Sequence, residues 1–191
     1  MKALSNTKTE QNLLKSFIFE SQSRTLYDFF SEQAKEEGFI QISNIFSEVA
    51  LNEKEHAKRF LKFLKWLNME VTSNFPVWKI WTTLENLEFA IELENKWRLV
   101  QYYDSAQMAE QEWFNDIAEV FRMVWIAEKA HEDMFKKLHK NISIWNVFIR
   151  EEVVIWKCIK CGYLYSWNTA PDECLSCLYS QSYFQIQGNN F

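Results

Sequence analysis

Two Glu-x-x-His motifs, Glu53/His56 and Glu128/His131, have the residue types and spacing of a metal site. The spacing puts a carboxylate and an imidazole on the same face of a helix. Both motifs lie within apolar stripes, where ionised side chains are not expected. Carboxylates and imidazoles that project inward from facing helices hold pairs of iron or manganese ions in helical bundles. The motifs therefore predict half of a two-metal site.

Two further carboxylates, Glu20 and Glu94, lie in the apolar stripes of two other predicted helices. Burying one ionised carboxylate without a partner is very costly, and burying four would prevent folding. Two divalent ions would balance the charge of four carboxylates. One Glu from each of two helices, with Glu-x-x-His from each of the other two, is the di-iron carboxylate pattern. The predicted ligands are Glu20, Glu53, His56, Glu94, Glu128 and His131, whereas the acids outside the stripes are predicted to face solvent (Glu55, Glu112, Glu119, Glu132).

All four cysteines form a second cluster, Cys158, Cys161, Cys174 and Cys177, in two Cys-x-x-Cys pairs. This spacing predicts one ion held by four thiolates rather than a framework of disulfides. Spacing alone suits zinc at least as well as iron. Iron is favoured by the upstream redox-type motifs and by nearby aromatic residues typical of rubredoxin-like modules (Trp156, Tyr163, Trp167, Phe184). Leu175 and Leu178 depart from the usual rubredoxin turn, where Pro and a small residue are common.

The rest of the 191-residue chain must position these two clusters. Only three Gly and two Pro interrupt it, which favours long helices. Apolar periodicity predicts four helices: residues 9–37, a second from there to 67, a third over 82–109 and a fourth ending near 140. A long connection containing Pro76 suits a crossover. From about residue 144 the sequence alternates and is rich in β-branched and aromatic residues, which predicts a strand. We therefore predict a ferritin-like four-helix bundle (1–145) and a small rubredoxin-like β/loop metal domain (146–191).

Charge and hydropathy exclude several classes of protein. The net charge of −5 gives no basic face for nucleic acid. No apolar run approaches the ~20 residues of a membrane span. The first residues lack the apolar core of a secretion signal, so a cytoplasmic protein is expected.

Four segments resemble the ligand motifs of the rubrerythrin family: Glu20-Ser-Gln-Ser-Arg, Asn52-Glu53-Lys54-Glu55-His56-Ala57-Lys58-Arg59, Glu94-Asn95 and Glu128-Lys129-Ala130-His131-Glu132. The cysteine-rich tail resembles that family's rubredoxin domain, so the similarity spans nearly the whole chain. It implies a di-iron centre that reduces hydrogen peroxide, with Tyr27 and Tyr102 hydrogen-bonded near it. It also implies a rubredoxin-type iron site and an NADH-linked peroxidase activity that receives electrons from an external donor protein. The same resemblance implies a homodimer in which one subunit's cysteine module lies near the other's bundle.

One position departs from the family pattern. A second carboxylate usually follows Glu94 by three residues, and here that residue is Trp97. The resemblance implies that the missing carboxylate binds one iron in the oxidised state, and that this iron moves toward the helix histidine, here His56, on reduction. The remaining six ligands are similar to those of bacterioferritins and di-iron oxidases. We therefore expect His56 to stay bound in both oxidation states and the di-iron potential to be higher than in a seven-ligand site.

Two alternative functions stay open on the sequence. The first is a ferroxidase or O2-reducing protein with a six-ligand site. The second is a non-redox scaffold with zinc in both sites. Manganese or zinc substitution for iron is compatible with the ligand types.

Overall fold

Helices form most of the chain up to residue 143. The structure is a computed structural model that describes residues 3–65 and 68–188; for residues 97–99 it describes the backbone only. The helices are α1 (Lys8–Glu36), α2 (Ile40–Leu61), α3 (Thr83–Lys96), α4 (Tyr103–Gln111) and α5 (Asn115–Ser143). A π-helical segment, Trp97–Tyr102, joins α3 to α4 without a break, so the five helices make four rods. The predicted four-helix architecture is confirmed.

The connection between α2 and α3 crosses the length of the bundle. At one end, called here the Gly38 end, the backbone N–H of Thr83 donates to the Glu37 carboxylate, so α3 begins where α1 ends. At the other end, the carboxylate of Glu112 accepts a hydrogen bond of 2.9 Å from the backbone N–H of Thr9. Because α2 starts at the Gly38 end and finishes at the other, the chain must return along the bundle before α3 begins, and residues 68–82 are the described part of this return. This is the long crossover of ferritin-like topology.

Several predicted element boundaries were wrong by a few residues. α2 ends at Leu61 and not at residue 67, because Phe63 and Leu64 form tight i→i−3 turns and pack on the core. Predicted helix residues 66 and 67 lie outside the described part of the chain. The predicted strand begins at Ile149, after a turn in which Trp145 adopts a φ of 57°.

Aromatic side chains fill the bundle on both sides of its polar centre. One cluster, on the side of the Gly38 end, contains Tyr27, Phe30, Phe46 and Phe135. The other contains Leu13, Phe60, Tyr102 and Phe121. The predicted ligands on α1 and α5 lie between these clusters along each helix. Burial of such large side chains is the main favourable term that holds the helices in register.

The C-terminal module packs against the Gly38 end. Its three strands, β1 (Ile149–Cys158), β2 (Leu164–Thr169) and β3 (Phe184–Ile186), form an antiparallel sheet in the order β2-β1-β3. Phe39 of the bundle stacks on Phe148 with ring centroids 6.4 Å apart. Gly38 has a φ of +83°, a conformation that favours glycine, and a Cβ there would lie 2.8 Å from Oγ of Ser182, so a larger residue would have to displace that side chain. Among the helices of the described residues, none is long and apolar enough to cross a membrane.

Candidate metal centres

The six predicted bundle ligands converge at one point in the bundle centre. Ligand atoms of Glu20, Glu53, His56 and Glu128 all lie within 4.8 Å of one another, as do those of Glu53, Glu94, Glu128 and His131. Glu53 and Glu128 belong to both groups. We call the first group the His56 half-site and the second the His131 half-site. Two positions that share two carboxylates form the geometry of a pair of bridged metal ions.

The helices supply these residues because of their spacing. Glu53 and His56 lie three residues apart on α2, and Glu128 and His131 likewise on α5, so each pair shares a helix face. Glu20 comes from α1 and Glu94 from α3. All four carboxylates are no more than 3% exposed.

The π-helical segment brings Tyr102 to the same centre. A π-helical segment acts as about one inserted residue. The eight-residue step from Glu94 to Tyr102 then behaves like about seven α-helical residues, or two turns, so that both residues face inward. A regular helix would place Gln101, seven residues after Glu94, on this face, whereas Gln101 is half-buried and Tyr102 is fully buried.

Glu20 and Glu94, the two carboxylates that belong to one half-site each, both have a tyrosine partner. The hydroxyl of Tyr27 donates to Oε1 of Glu94, and that of Tyr102 donates to Oε1 of Glu20. Burial, followed by repulsion from Glu128 and Glu53, raises the pKa of both Glu20 and Glu94 well above the usual range. Burial also raises the pKa of both tyrosines, which therefore remain protonated donors at neutral pH.

Glu53 and Glu128, the carboxylates shared by the two half-sites, face the two histidines. Nδ1 of His56 lies 3.0 Å from Oε1 of Glu128, and Nδ1 of His131 lies 3.0 Å from Oε1 of Glu53. Burial alone would raise the pKa of Glu53, but hydrogen bonds with His131 and His56 lower it to about 2. Burial alone would lower the pKa of the histidines, but contacts with Glu128 and Glu53 raise it to about 10 for His56 and about 9 for His131.

Unsatisfied oxygens show that this donor set fits cations. Oε2 of Glu20 is buried and accepts no hydrogen bond from the described residues, whereas Oε1 of Glu53 and Oε1 of Glu128 are buried with only an ion-pair contact of 3.0 Å to a histidine Nδ1. A buried carboxylate oxygen without a partner costs free energy, and a group of four buried carboxylates needs more positive charge than two imidazoles provide. Two metal ions at the half-sites would bind them. Carboxylate oxygens and imidazoles suit iron, manganese and zinc.

The four cysteines also converge, at the edge of the C-terminal module. Their Sγ atoms are 3.8 Å apart for Cys158 and Cys177, and 3.7 Å apart for Cys161 and Cys174. These separations are far too long for disulfides. A tetrahedron with metal–sulfur bonds of about 2.3 Å has an edge of about 3.8 Å. The structure therefore arranges the four thiols for one tetrahedral ion.

Two matching turns place the sulfurs. In the first cysteine turn (residues 158–163), the N–H of Gly162 donates to the carbonyl of Cys158 at 2.9 Å. In the second (residues 174–179), the N–H of Leu178 donates to the carbonyl of Cys174 at 2.9 Å. The backbone N–H of Tyr163 points at Cys161 and is the main cause of the lowering of its thiol pKa to about 7. N–H donors of this kind stabilise the thiolate that binds a metal.

Two acids predicted to face solvent are instead structural. Glu132 is 1% exposed, accepts a 3.1 Å hydrogen bond from the Asn95 amide and pairs with Lys136. Glu112 is half-buried and accepts hydrogen bonds from Thr9. The burial of Glu132 gives no signal in the sequence, because it comes from the packing of α3 against α5, and the lysine four residues later is equally typical of an exposed helix face. Glu55 and Glu119 are exposed, as predicted.

Asn52 was also missed as a site residue. Its side-chain amide lies 3.4 Å from Nε2 of His131. Its position in the sequence, next to Glu53, gives no direct signal, because the contact crosses from α2 to α5 and depends on tertiary packing. The side chain of Trp97 lies outside the described part of the chain, so its predicted effect stays a prediction.

Comparison with known proteins assigns the family. Residues 11–139 match the family model described as Rubrerythrin, and residues 156–185 match that of the rubrerythrin rubredoxin-like domain. Rubrerythrin of Clostridium perfringens is 47% identical over 190 residues, covering 97% of both chains. Rubrerythrin of Nitratidesulfovibrio vulgaris is 39% identical over 191 residues, covering 100% of both.

Solved structures support the same fold. Fully reduced, all-ferrous nigerythrin aligns with a TM-score of 0.63 at 18% identity, covering 97% of this chain and 92% of that one. At this identity the likeness concerns the fold alone. The predicted carboxylate–histidine and four-cysteine ligand groups are both present. With both family models matched and full-length relatives above one-third identity, the chain belongs to the rubrerythrin family.

Proposed function

We propose that this protein is a non-haem di-iron oxidoreductase that reduces hydrogen peroxide to water, with electrons relayed through an iron–tetrathiolate centre. The observation that carries the proposal is the pair of half-sites that share Glu53 and Glu128. With two ferrous ions bound, the residues of the two half-sites would hold a centre able to supply two electrons, one from each ion on oxidation to ferric, and with two protons these would convert one peroxide molecule to two waters. The proposed iron ligands are the six bundle residues and the four cysteines, in domains 1–145 and 146–191.

Each group in the bundle has a separate task in this proposal. Glu20 and Glu94 would each bind the metal ion of one half-site, and the hydroxyls of Tyr102 and Tyr27 hold these carboxylates in place. The same hydroxyls keep a proton beside each carboxylate, where reduction of peroxide consumes two protons. The aromatic clusters on both sides exclude bulk water. Exclusion of water strengthens every electrostatic interaction within the site.

Electron supply requires the cysteine module. It contacts the Gly38 end, whereas Glu53 lies thirteen residues beyond Ile40 on α2, about 20 Å along the helix. Electron tunnelling falls steeply with distance, so a homodimer that brings the partner subunit's module beside the bundle would be a faster route. An external NADH-linked reductase is the proposed donor. The cytoplasm is the proposed compartment, because free thiols persist there.

Stopped-flow oxidation tests the preferred oxidant. The diferrous protein is mixed with hydrogen peroxide or with O2 at equal concentration, and the ferric absorption of the bundle is followed. Oxidation at least tenfold faster by peroxide supports the proposal. Equal rates, or faster oxidation by O2, contradict it.

A ferroxidase or O2-reducing function is the second candidate. It is favoured by the six-ligand composition of the two half-sites, in which Trp97 replaces the usual extra carboxylate. The Trp97→Glu variant restores that negative ligand and should lower the di-iron potential, because added negative charge favours the ferric state. An unchanged or raised potential would contradict this charge argument.

A zinc-binding scaffold is the third candidate. The visible spectrum of protein purified from native cells distinguishes it, because a ferric tetrathiolate centre is coloured and a zinc centre is not. Elemental analysis that finds zinc in both sites would exclude the redox proposals.

A further inference from the structure

His131 is held from both sides of its ring. Nδ1 faces the bridging carboxylates, 3.0 Å from Oε1 of Glu53 and 2.9 Å from Oε2 of Glu128. Nε2 faces the other way, 3.4 Å from the side-chain amide of Asn52. The ring therefore spans from the proposed metal position to α2.

A histidine that binds metal needs a partner for its second nitrogen. The nitrogen that binds the ion offers a lone pair, so the proton must sit on the other nitrogen. Here Nδ1 lies at the carboxylates, and the proton belongs on Nε2. An N–H in this position is usually donated to an acceptor that fixes both tautomer and ring orientation. The side-chain oxygen of Asn52 can take this role, because a half-turn of the amide exchanges its nitrogen and oxygen positions.

His56 makes an informative contrast. Its Nδ1 also lies near both bridging carboxylates, at 3.1 Å from Glu53 and 3.0 Å from Glu128. Within the described residues, no side chain is recorded within hydrogen-bonding distance of its Nε2. Its side chain is 17% exposed, against 8% for His131, so water can serve His56 more readily. Loss of Asn52 would leave the His131 N–H buried with little access to a substitute.

We propose that Asn52 is a positioning residue that accepts a hydrogen bond from Nε2–H of His131 and thereby keeps Nδ1 free for metal. Asparagine accepts without adding a fifth negative charge to a centre that already holds four carboxylates. Because Asn52 precedes the bridging residue Glu53 on α2, one turn of that helix supplies a bridging ligand and also orients a ligand on α5. This inference rests on the proposed two-metal site.

The test compares Asn52→Ala with Asn52→Asp in zinc-loaded, full-length protein. The alanine removes the acceptor, whereas the aspartate keeps one. Nitrogen NMR of ¹⁵N-histidine-labelled protein reports which ring nitrogen of His131 carries the proton and how fast that proton exchanges. Chelator competition measures the affinity of the bundle half-sites for zinc, as the zinc bound in addition to the one equivalent held by the four cysteines. Asn44→Ala is the matched control, because Asn44 lies on α2 two turns away and is exposed.

The wild type and Asn44→Ala should show a slowly exchanging Nε2–H. Asn52→Ala should lose that protection and about 10- to 100-fold of zinc affinity, while Asn52→Asp should restore both. Unchanged NMR signals and affinity in Asn52→Ala would overturn the role of Asn52. An equal loss of Nε2–H protection and of zinc affinity in Asn52→Ala and Asn52→Asp would also overturn it, because such a loss would indicate a general packing defect and not the loss of an acceptor. Failure of the wild type to bind zinc beyond the cysteine-bound equivalent would instead count against the two-metal site itself.

Discussion

Leu178 should be the strained residue of the second cysteine turn. Its φ is 60°, in the left-handed region, whereas the equivalent position of the first cysteine turn is Gly162 with a φ of 81°. The left-handed conformation costs a non-glycine residue about 1–2 kcal/mol. Leu178→Gly removes that strain. Leu175 of the same turn is the control, because it is 73% exposed against 70% for Leu178 and is not among the described residues with positive φ.

Apart from the strain, replacement by glycine has nearly the same two costs at Leu175 and Leu178, one in backbone conformational entropy and one in side-chain burial. Each change adds about 0.5–1 kcal/mol of backbone entropy to the unfolded chain. Each also loses the burial of a little under one-third of a leucine, about 0.5–0.9 kcal/mol. Leu175→Gly should therefore destabilise the metal-bound module by about 1–2 kcal/mol. In Leu178→Gly the relief of strain offsets this loss, so its stability should be close to that of the wild type.

Zinc competition measures the difference between the variants. In a small metal-stapled module the folding energy contributes directly to metal affinity. A difference of 1–2 kcal/mol corresponds to roughly 5- to 30-fold in the dissociation constant. Zinc held by the four cysteines should therefore be lost to a chelator at a concentration roughly 5- to 30-fold lower in Leu175→Gly than in Leu178→Gly. Equal affinities in the two variants would refute the strain argument.

Two further predictions concern the bundle. The pKa is about 10 for His56 and about 9 for His131, so both side chains are protonated at pH 7 in the metal-free protein. Their contribution to the free energy of unfolding is complete below pH 6.5 and is lost as the pH rises through 9 to 10. Binding of zinc to both half-sites at pH 7 should therefore release at least two protons, and the zinc affinity should rise with pH. Calorimetry in buffers of different ionisation enthalpy measures the number of protons released. Release of no protons would contradict this expectation. Glu132→Ala leaves the Asn95 amide without its carboxylate acceptor and should lower the free energy of unfolding, measured with denaturant, by about 1–3 kcal/mol. The control Glu55→Ala, at an exposed position, should change the free energy of unfolding by less than about 0.5 kcal/mol. Similar losses in the two variants would show that burial of Glu132 is unimportant.

Much of the site could be predicted from the sequence because its ligands are local in spacing. Glu53/His56 and Glu128/His131 are pairs within one helix turn, and Glu20 and Glu94 stand out as acids in apolar stripes. The helical periodicity also predicted four rods and a long crossover. The cysteine spacing similarly predicted a single tetrahedral centre. In each case one helix or one turn already dictates which side chains share a face.

Contacts between elements could not be predicted in this way. Stripe counting placed Glu132 in solvent, but α3 lies against α5 and supplies Asn95 to it. In a regular helix Gln101 would face inward with Glu94, whereas the π-helical segment turns Tyr102 inward. A change of helix type depends on the packing of neighbouring rods, which periodicity does not contain.

The sequence by itself determined which residues could bind metal and on which helix face each one lies, because 3.6-residue periodicity is a property of the single helix. Only the tertiary structure decided that Glu53 and Glu128 belong to both half-sites, because bridging depends on how α2 and α5 approach each other. It also decided that Asn52 reaches His131 and that the cysteine module packs against the Gly38 end of the bundle, with Ser182 beside Gly38. These are distances across the fold, set by the packing of aromatic side chains around a polar centre.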